Sequence, residues 1–206
     1  MQTDEVLVSR AQRGDRAAMS ELLDHHADSI YRLALRITGN KADAEDAAQE
    51  AMINVVRRIN SFDGRSKFST WVYRVATNAA LDETRRRSRR PTPTDLESTA
   101  RRVRDGEPGK AVDSVGHTPG PAEIAASNDR IDHILSGLSP EHRAVLILRE
   151  VGDMTYDDIA ETLGISPGTV RSRLARARRS AARKLSELDG RPASSNGSSD
   201  DPQVTR

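Results

Sequence analysis

The side chains best suited to chemistry in this 206-residue chain are arginines. Between Gly168 and Lys184 they stand at Arg171, Arg173, Arg176, Arg178, Arg179 and Arg183, with no carboxylate among them. A guanidinium is a rigid fork of donors that matches phosphate oxygens or the O6 and N7 edge of guanine. On a helical wheel Ser172, Ala175, Arg176, Arg179 and Arg183 share one side, flanked by Arg171 and Arg173. A helix through these residues presents a row of cations to a DNA major groove. A merely solvated face mixes signs, and this one does not.

Such a row must be held at a fixed angle, and the preceding residues can hold it. Thr155 caps a helix over TYDDIAETL, with Asp158 three positions on. Gly164 makes a turn, and Ser166 caps the next helix, with Pro167 in its first turn where the missing N–H costs nothing. Ile159, Ala160 and Leu163 on the first helix face Val170, Leu174, Ala177, Ala181 and Leu185 on the second. The pattern is a helix-turn-helix, and DNA is the partner it predicts.

With 35% hydrophobic and 31% charged residues and a formal net charge of +1, the chain reads as soluble, with one or two small domains. The balance hides an asymmetry. Arginines cluster at Arg85, Arg86, Arg87, Arg89 and Arg90, and an acidic stretch holds Asp43, Glu45, Asp46 and Glu50. That suits a chain that meets both DNA and protein. The absence of cysteine excludes disulfides and cysteine-based zinc sites. His25 and His26 point about 100° apart on a helix and do not readily grip one ion. No phosphate loop, nucleophile elbow or metal-binding carboxylate motif occurs, so no catalytic residue, metal or cofactor is expected. No apolar run approaches the roughly 20 residues that span a bilayer, and the N-terminus lacks a signal-peptide pattern. The expected compartment is the cytoplasm, without membrane contact of the chain's own.

Two helical blocks emerge. Val6, Leu7 and Ala11 mark a short helix stopped by Gly14, and Met19 to Ile37 a longer one stopped at Gly39. Ala44, Ala47, Ala48, Ala51, Met52, Val55 and Ile59 mark a third, capped by Asn40 and ending near Phe62-Asp63-Gly64. A fourth begins at Ser69 and buries Val72, Val75, Ala76 and Ala79, with Thr70, Arg74, Thr77, Asn78, Leu81, Thr84 and Arg85 opposite. Prolines and glycines puncture the next stretch, which reads as a flexible linker. Periodicity returns at Ile124 and continues to the helix-turn-helix; the Ser, Gly, Asp and Pro tail reads as disordered. The predicted architecture is all-α, with domains over 1–90 and 122–188, a linker over 91–121 and a tail over 189–206.

Three segments in order, DAEDAAQEAMINVVRRINSFDG (Asp43 to Gly64), KFSTWVYRVATNAALDETRRRSRR (Lys67 to Arg90) and LSPEHRAVLILREVGDMTYDDIAETLGISPGTVRSRLARAR (Leu138 to Arg178), resemble the extracytoplasmic-function sigma factors. These are the small two-domain class of bacterial initiation factors. The resemblance covers about three quarters of the chain, with a linker rather longer than the family pattern. It implies sigma region 2 in the first domain, which docks on core RNA polymerase and recognises and melts the −10 element. It implies sigma region 4 in the second, which reads the −35 element. Promoter DNA, core RNA polymerase and an anti-sigma protein are the implied partners, and a stress response the implied setting. The implied linker threads through polymerase, where Asp95, Glu97, Asp105, Glu107 and Asp113 mimic nucleic-acid charge.

The resemblance assigns residues. Asp46, Gln49 and Glu50, on a stripe with Ile53 and Arg57 opposite the alanines, dock on polymerase. Lys67, Trp71, Arg74, Asn78, Arg85 and Arg86 hold −10 DNA, Asn78 bonding a base edge and the arginines neutralising phosphates. Trp71 either helps to hold an unstacked base or belongs with Phe68 to the core. Thr169, Arg171, Ser172, Arg173, Ala175, Arg176 and Arg179 contact the −35 duplex. The alternative is a self-contained helix-turn-helix regulator whose first domain senses a ligand or dimerises to read two half-sites. Such a protein has no need of the second basic site after Trp71.

Overall fold

Helices begin where side chains can take up free backbone N–H groups. In the computed structural model, which describes residues 3–89 and 130–189, α1 spans Asp4–Gln12, α2 Arg16–Thr38, α3 Lys41–Arg58 and α4 Phe68–Arg89. Asp15 accepts from the N–H groups of Ala17 and Ala18 to start α2, and Asn40 from that of Asp43 to start α3. Gly39 ends α2 in left-handed backbone at φ 68°, where a side chain would be strained. α3 stops sooner than its apolar spacing predicts. After Arg58 it tightens into a 3-10 turn over Ile59–Ser61, and Gln12 donates to the carbonyl oxygens of Ile59 and Phe62 at 3.0 and 2.9 Å.

In the first bundle α3 buries Ala44, Ala47, Ala48 and Ala51, whose small side chains bring its backbone close to its neighbours. Leu22, Ile30 and Ile37 of α2 and Phe68, Val72, Ala76 and Ala80 of α4 fill the core around them. Two residues predicted on the outer side of α4 lie inside: Thr77 is 0% and Leu81 5% exposed. Val75, predicted inside, is half-buried. α4 is covered over a wider arc than one bundle requires, because the second domain also packs on it.

Residues 130–136 are helical (α5), followed by α6 over Pro140–Glu150, α7 over Tyr156–Leu163 and α8 over Pro167–Leu188. No strand occurs among the described residues. Val145 and Leu148 of α6, Met154, Ile159 and Ala160, and Val170 and Leu174 of α8 form a second core. The other side of α6 is apolar too. Ala144 and Ile147 join the first core, with Leu135 and Leu138, and Tyr73, Leu146 and Leu163 touch both. Arg143 fastens the joint: Nε donates to the carbonyl oxygens of Leu135 and Leu138 at 2.9 and 3.0 Å, and Nη1 to that of Ile37 at 3.0 Å. The linker predicted over 91–121, with its acidic residues, and the tail from 190 onward lie outside the described residues. Asp189 closes α8 and pairs with Arg130.

Candidate nucleic-acid interface

α7 begins with the reciprocal cap written in its sequence. Thr155 Oγ1 accepts from the N–H of Asp158 at 3.1 Å, and Asp158 Oδ2 accepts from the N–H and hydroxyl of Thr155 at 3.2 and 2.6 Å. The Thr155 hydroxyl, then its backbone N–H and the Arg74 guanidinium, hold the Asp158 carboxyl below its ordinary range against the effect of burial. Gly164 turns the chain at φ 63°, and Ser166 accepts from the N–H of Thr169 to start α8. With α8 so anchored, Arg171, Ser172, Ala175, Arg176 and Arg179 are exposed.

Two other predicted −35 residues are less exposed. Thr169 is half-buried, its hydroxyl 2.8 Å from that of Ser166. Arg173 is half-buried and acts on Glu141 of α6. Burial works against ionising Glu141, yet its own backbone N–H, the Ser139 hydroxyl, Arg173 and Arg85 together hold its carboxyl below the ordinary range. Arg178 turns back to Glu150, with Nε and Nη2 at 3.2 and 2.7 Å from Oε1, and that bond pushes its pKa up. Beyond Ala177 the predicted apolar stripe loses its cover: Ala181 is half-buried and Leu185 is 38% exposed, because α8 runs past the second core.

On α4, Trp71, Arg74, Asn78 and Arg86 line one wall of a cleft of about 380 Å³, and Glu50, Asn54, Arg58 and Ser61 line the facing wall. Lys67 opens on a neighbouring cleft of about 480 Å³, shared with Arg65, Thr70, Trp71 and Arg74. Arg85 stands apart from both and bonds Asp82 at 3.0 Å. Phe68 is core, 5% exposed, and stacks on Trp71 with centroids 5.5 Å apart. Trp71 is half-buried, sharing that aromatic cluster while bordering both clefts. An aromatic edge, an amide and guanidinium groups in one groove can stack a base, bond its edge and neutralise phosphate. Asn54, Arg58 and Ser61 were missed by sequence reasoning, although their spacing from Glu50, about one turn apart, carries the signal.

The outer stripe of α3 leaves Asp46, Gln49 and Arg57 exposed around Ile53 and Val56, which are 44% and 45% exposed. An apolar centre with a polar rim is the anatomy of a protein-binding patch. Glu50 departs from it. It is half-buried, accepts from Asn54 Nδ2 at 3.1 Å and faces the α4 cleft.

Residues 22–90 match the family model of sigma-70 region 2, and residues 128–180 that of sigma-70 region 4. The chain is 34% identical over 182 residues to the ECF RNA polymerase sigma factor SigW of Bacillus subtilis, covering 88% of this chain and 96% of the relative. It is 34% identical over 186 residues to the RNA polymerase sigma-H factor of Pseudomonas aeruginosa, covering 90% and 95%. To the ECF RNA polymerase sigma factor SigE of Mycolicibacterium smegmatis it is 36% identical over 174 residues, 80% of this chain but 62% of that relative's length. The fold is similar to that of CnrH in complex with the cytosolic domain of CnrY, at a TM-score of 0.56 and 20% identity, covering 90% of this chain and 99% of the other. It is also similar to the sigma factor RpoE bound to the anti-sigma factor NepR from Bartonella quintana, at a TM-score of 0.53 and 20% identity, covering 81% and 95%.

Proposed function

The chain belongs to the extracytoplasmic-function sigma factors, and on that premise we propose how its three polar faces share the work of initiation. An alternative sigma factor binds core RNA polymerase and directs initiation at promoters, so the reading as a self-contained regulator falls away. Asp46 and Gln49, around Ile53 on α3, dock on polymerase; the carboxylate and amide match a basic surface, and the isoleucine supplies desolvated contact. Glu50 acts in the α4 cleft.

Trp71, Arg74, Asn78 and Arg86 hold the non-template strand of the −10 element, with Lys67 and Arg85 on its approaches. Extruding a base costs a few kcal/mol, which stacking on Trp71 and a bond to Asn78 offset. Arg171, Ser172, Ala175, Arg176 and Arg179 on α8 enter the −35 major groove, with Thr169 and Arg173, half-buried, at their edge. The work is binding rather than bond-making. No helix among the described residues is long and apolar enough to cross a membrane, and the chain acts in the cytoplasm with its polymerase. The RpoE relative was solved with an anti-sigma factor, and a partner of that class holds this chain off until needed.

The observation that supports this reading best is the meeting of Trp71, Arg74 and Asn78 on one cleft wall. Run-off transcription with core polymerase on genomic fragments tests it. Wild-type protein should give discrete start sites, and Asn78→Ala should lose permanganate reactivity of −10 thymines while still binding −35 duplex. Normal melting by that variant would remove Asn78 from the site.

A further inference from the structure

We propose that α1 belongs to the melting apparatus, with Gln12, Asp4 and His26 as positioning residues that set the pose of Trp71 in the −10 cleft without touching DNA. The proposal rests on Trp71, Arg74 and Asn78 being the −10 site. Phenyl and indole rings are scarce in this chain, which has two phenylalanines and one tryptophan in 206 residues. All three meet in one cluster. Trp71 rests on both of the others, stacked on Phe68 with centroids 5.5 Å apart and tilted against Phe62 at 5.7 Å. Phe62 and Phe68 also meet edge to face at 5.3 Å. A base that stacks on Trp71 therefore bears on a plane set by the two rings beneath it.

Each of those two rings is held from α1. The Gln12 amide has two N–H donors and uses both, on the Ile59 and Phe62 carbonyl oxygens at 3.0 and 2.9 Å. One side chain thus fixes the end of the 3-10 turn and the backbone that carries the Phe62 ring. Against Phe68 lies His26, whose ring meets it edge-on with centroids 5.3 Å apart. His26 Nε2 is 2.8 Å from Asp4 Oδ2, and since a carboxylate oxygen only accepts, Nε2 carries a proton and donates. The loop between the two phenylalanines depends on such holding. Asp63, Arg65, Ser66 and Lys67 border the cleft of about 480 Å³ on one side. On the other, Gly64, Ser66 and Lys67 border a cavity of about 430 Å³, whose far wall is Thr3 with Asp4, Glu5 and Val8 of α1. With space on both sides, the loop takes its position from its ends at Phe62 and Phe68. α1 does not need these polar contacts to stay attached, because Leu7, Val8 and Ala11 are buried at 0%, 5% and 6% exposure. Nor does Asp4, Gln12 or His26 line either cleft on α4. Their contacts lead to the aromatic wall.

The test uses Gln12→Met, which keeps the reach of the side chain and removes its donors, and Asp4→Ala, which leaves His26 without its acceptor. Gln12→Lys restores a donor, and Asp4→Asn an acceptor. Trp71 is the one tryptophan, so in the free chain its near-ultraviolet dichroism and acrylamide quenching report its pose directly. Gln12→Met and Asp4→Ala should each weaken that dichroism and raise quenching, while the far-ultraviolet spectrum holds. In holoenzyme each should slow permanganate-detected opening of −10 thymines about threefold. Together they should slow it about tenfold, as when the correctly posed form falls from nearly all of the molecules to about a tenth. Affinity for core polymerase and for −35 duplex should not change, and Gln12→Lys and Asp4→Asn should open promoters at close to the wild-type rate. Unmoved Trp71 signals in the folded single variants, wild-type opening where those signals have moved, or no recovery in Gln12→Lys and Asp4→Asn overturns the proposal. Trp71→Ala in the same holoenzyme separates the two readings. Normal opening there means that the −10 assignment itself has failed, whereas slow opening beside normal opening by Gln12→Met and Asp4→Ala means that only the brace has.

Discussion

Arg143→Met should cost about 2 kcal/mol, about half of it in the second domain. The guanidinium reaches the carbonyl oxygens of Leu135, Leu138 and Ile37 at 2.9, 3.0 and 3.0 Å, but its single Nε–H is shared between Leu135 and Leu138 and counts once. A further bond, to the Ser136 carbonyl oxygen at 3.3 Å, is exposed and counts for little. Charged donors contribute about 1.5–3 kcal/mol per bond when buried and about 1 where water can substitute. These carbonyls are partly buried, so about 1 kcal/mol applies to each donated N–H, and methionine keeps most of the stem's packing. The Nε–H stays inside the second domain and an Nη1–H crosses to the end of α2. About 1 kcal/mol therefore falls on the second domain and about 1 on the joint. In a domain of this size 1 kcal/mol shifts the midpoint by about 4–8 °C, so the calorimetric transition of the second domain should fall by about that much. Trp71, the one tryptophan, reports the first domain by fluorescence, and its transition should move much less. A calorimetric shift below about 2 °C, or equal shifts in both signals, would refute the assignment of Arg143 as a two-sided clasp.

Phe68→Ala, at a site 5% exposed, should destabilise by about 3–5 kcal/mol, whereas Trp71→Ala should lower stability less and weaken single-strand binding, as paired urea titrations and anisotropy would show. Arg176→Ala should cost about 1–3 kcal/mol on the preferred −35 duplex and relax preference at one position, while Arg179→Ala should weaken all sequences alike; a panel of singly substituted duplexes distinguishes them. Asp46→Lys with Gln49→Lys should weaken binding to core polymerase without moving the thermal midpoint, and unchanged affinity would place the docking face elsewhere. Because the Asp158 carboxyl is held below its ordinary value of 3.8, the stability it confers is fully present above that pH and is lost as pH falls through the folded value. The urea-midpoint gap between wild type and Asp158→Asn should thus be constant near neutrality and shrink in acid; a gap widening in acid would contradict it.

The caps at Asn40, Thr155 and Ser166 were legible in the sequence because a cap is decided within four residues. The exposed row on α8 was legible for a similar reason, since helical periodicity alone places Arg176 beside Ala175 and Arg179. What depends on the second domain meeting the first was not. Thr77 and Leu81 sit where a single bundle would leave them facing water, and the Asp158 partner of Arg74 is 84 positions away. One clue lay unread in AVLIL over 144–148, an apolar run with no polar side, which marks a helix covered from two directions. Glu83, 2% exposed, pairs through Oε2 with Arg86 Nη1 at 3.2 Å, a partner one turn away on the same helix, while its Oε1 is without one.

The alanine seam of α3 bears on how firmly this chain can be gripped. Ala44, Ala47, Ala48 and Ala51 have no rotamers to freeze, so seating the helix against its neighbours costs little side-chain entropy. Methyl groups also leave nothing to swing aside, and the helix has almost no slack about its own axis. Asp46, Gln49 and Ile53 on the opposite side are therefore delivered at nearly fixed spacing, like the teeth of a rigid rack. A partner that engages them meets a backbone already in place, and only the side chains remain to be ordered.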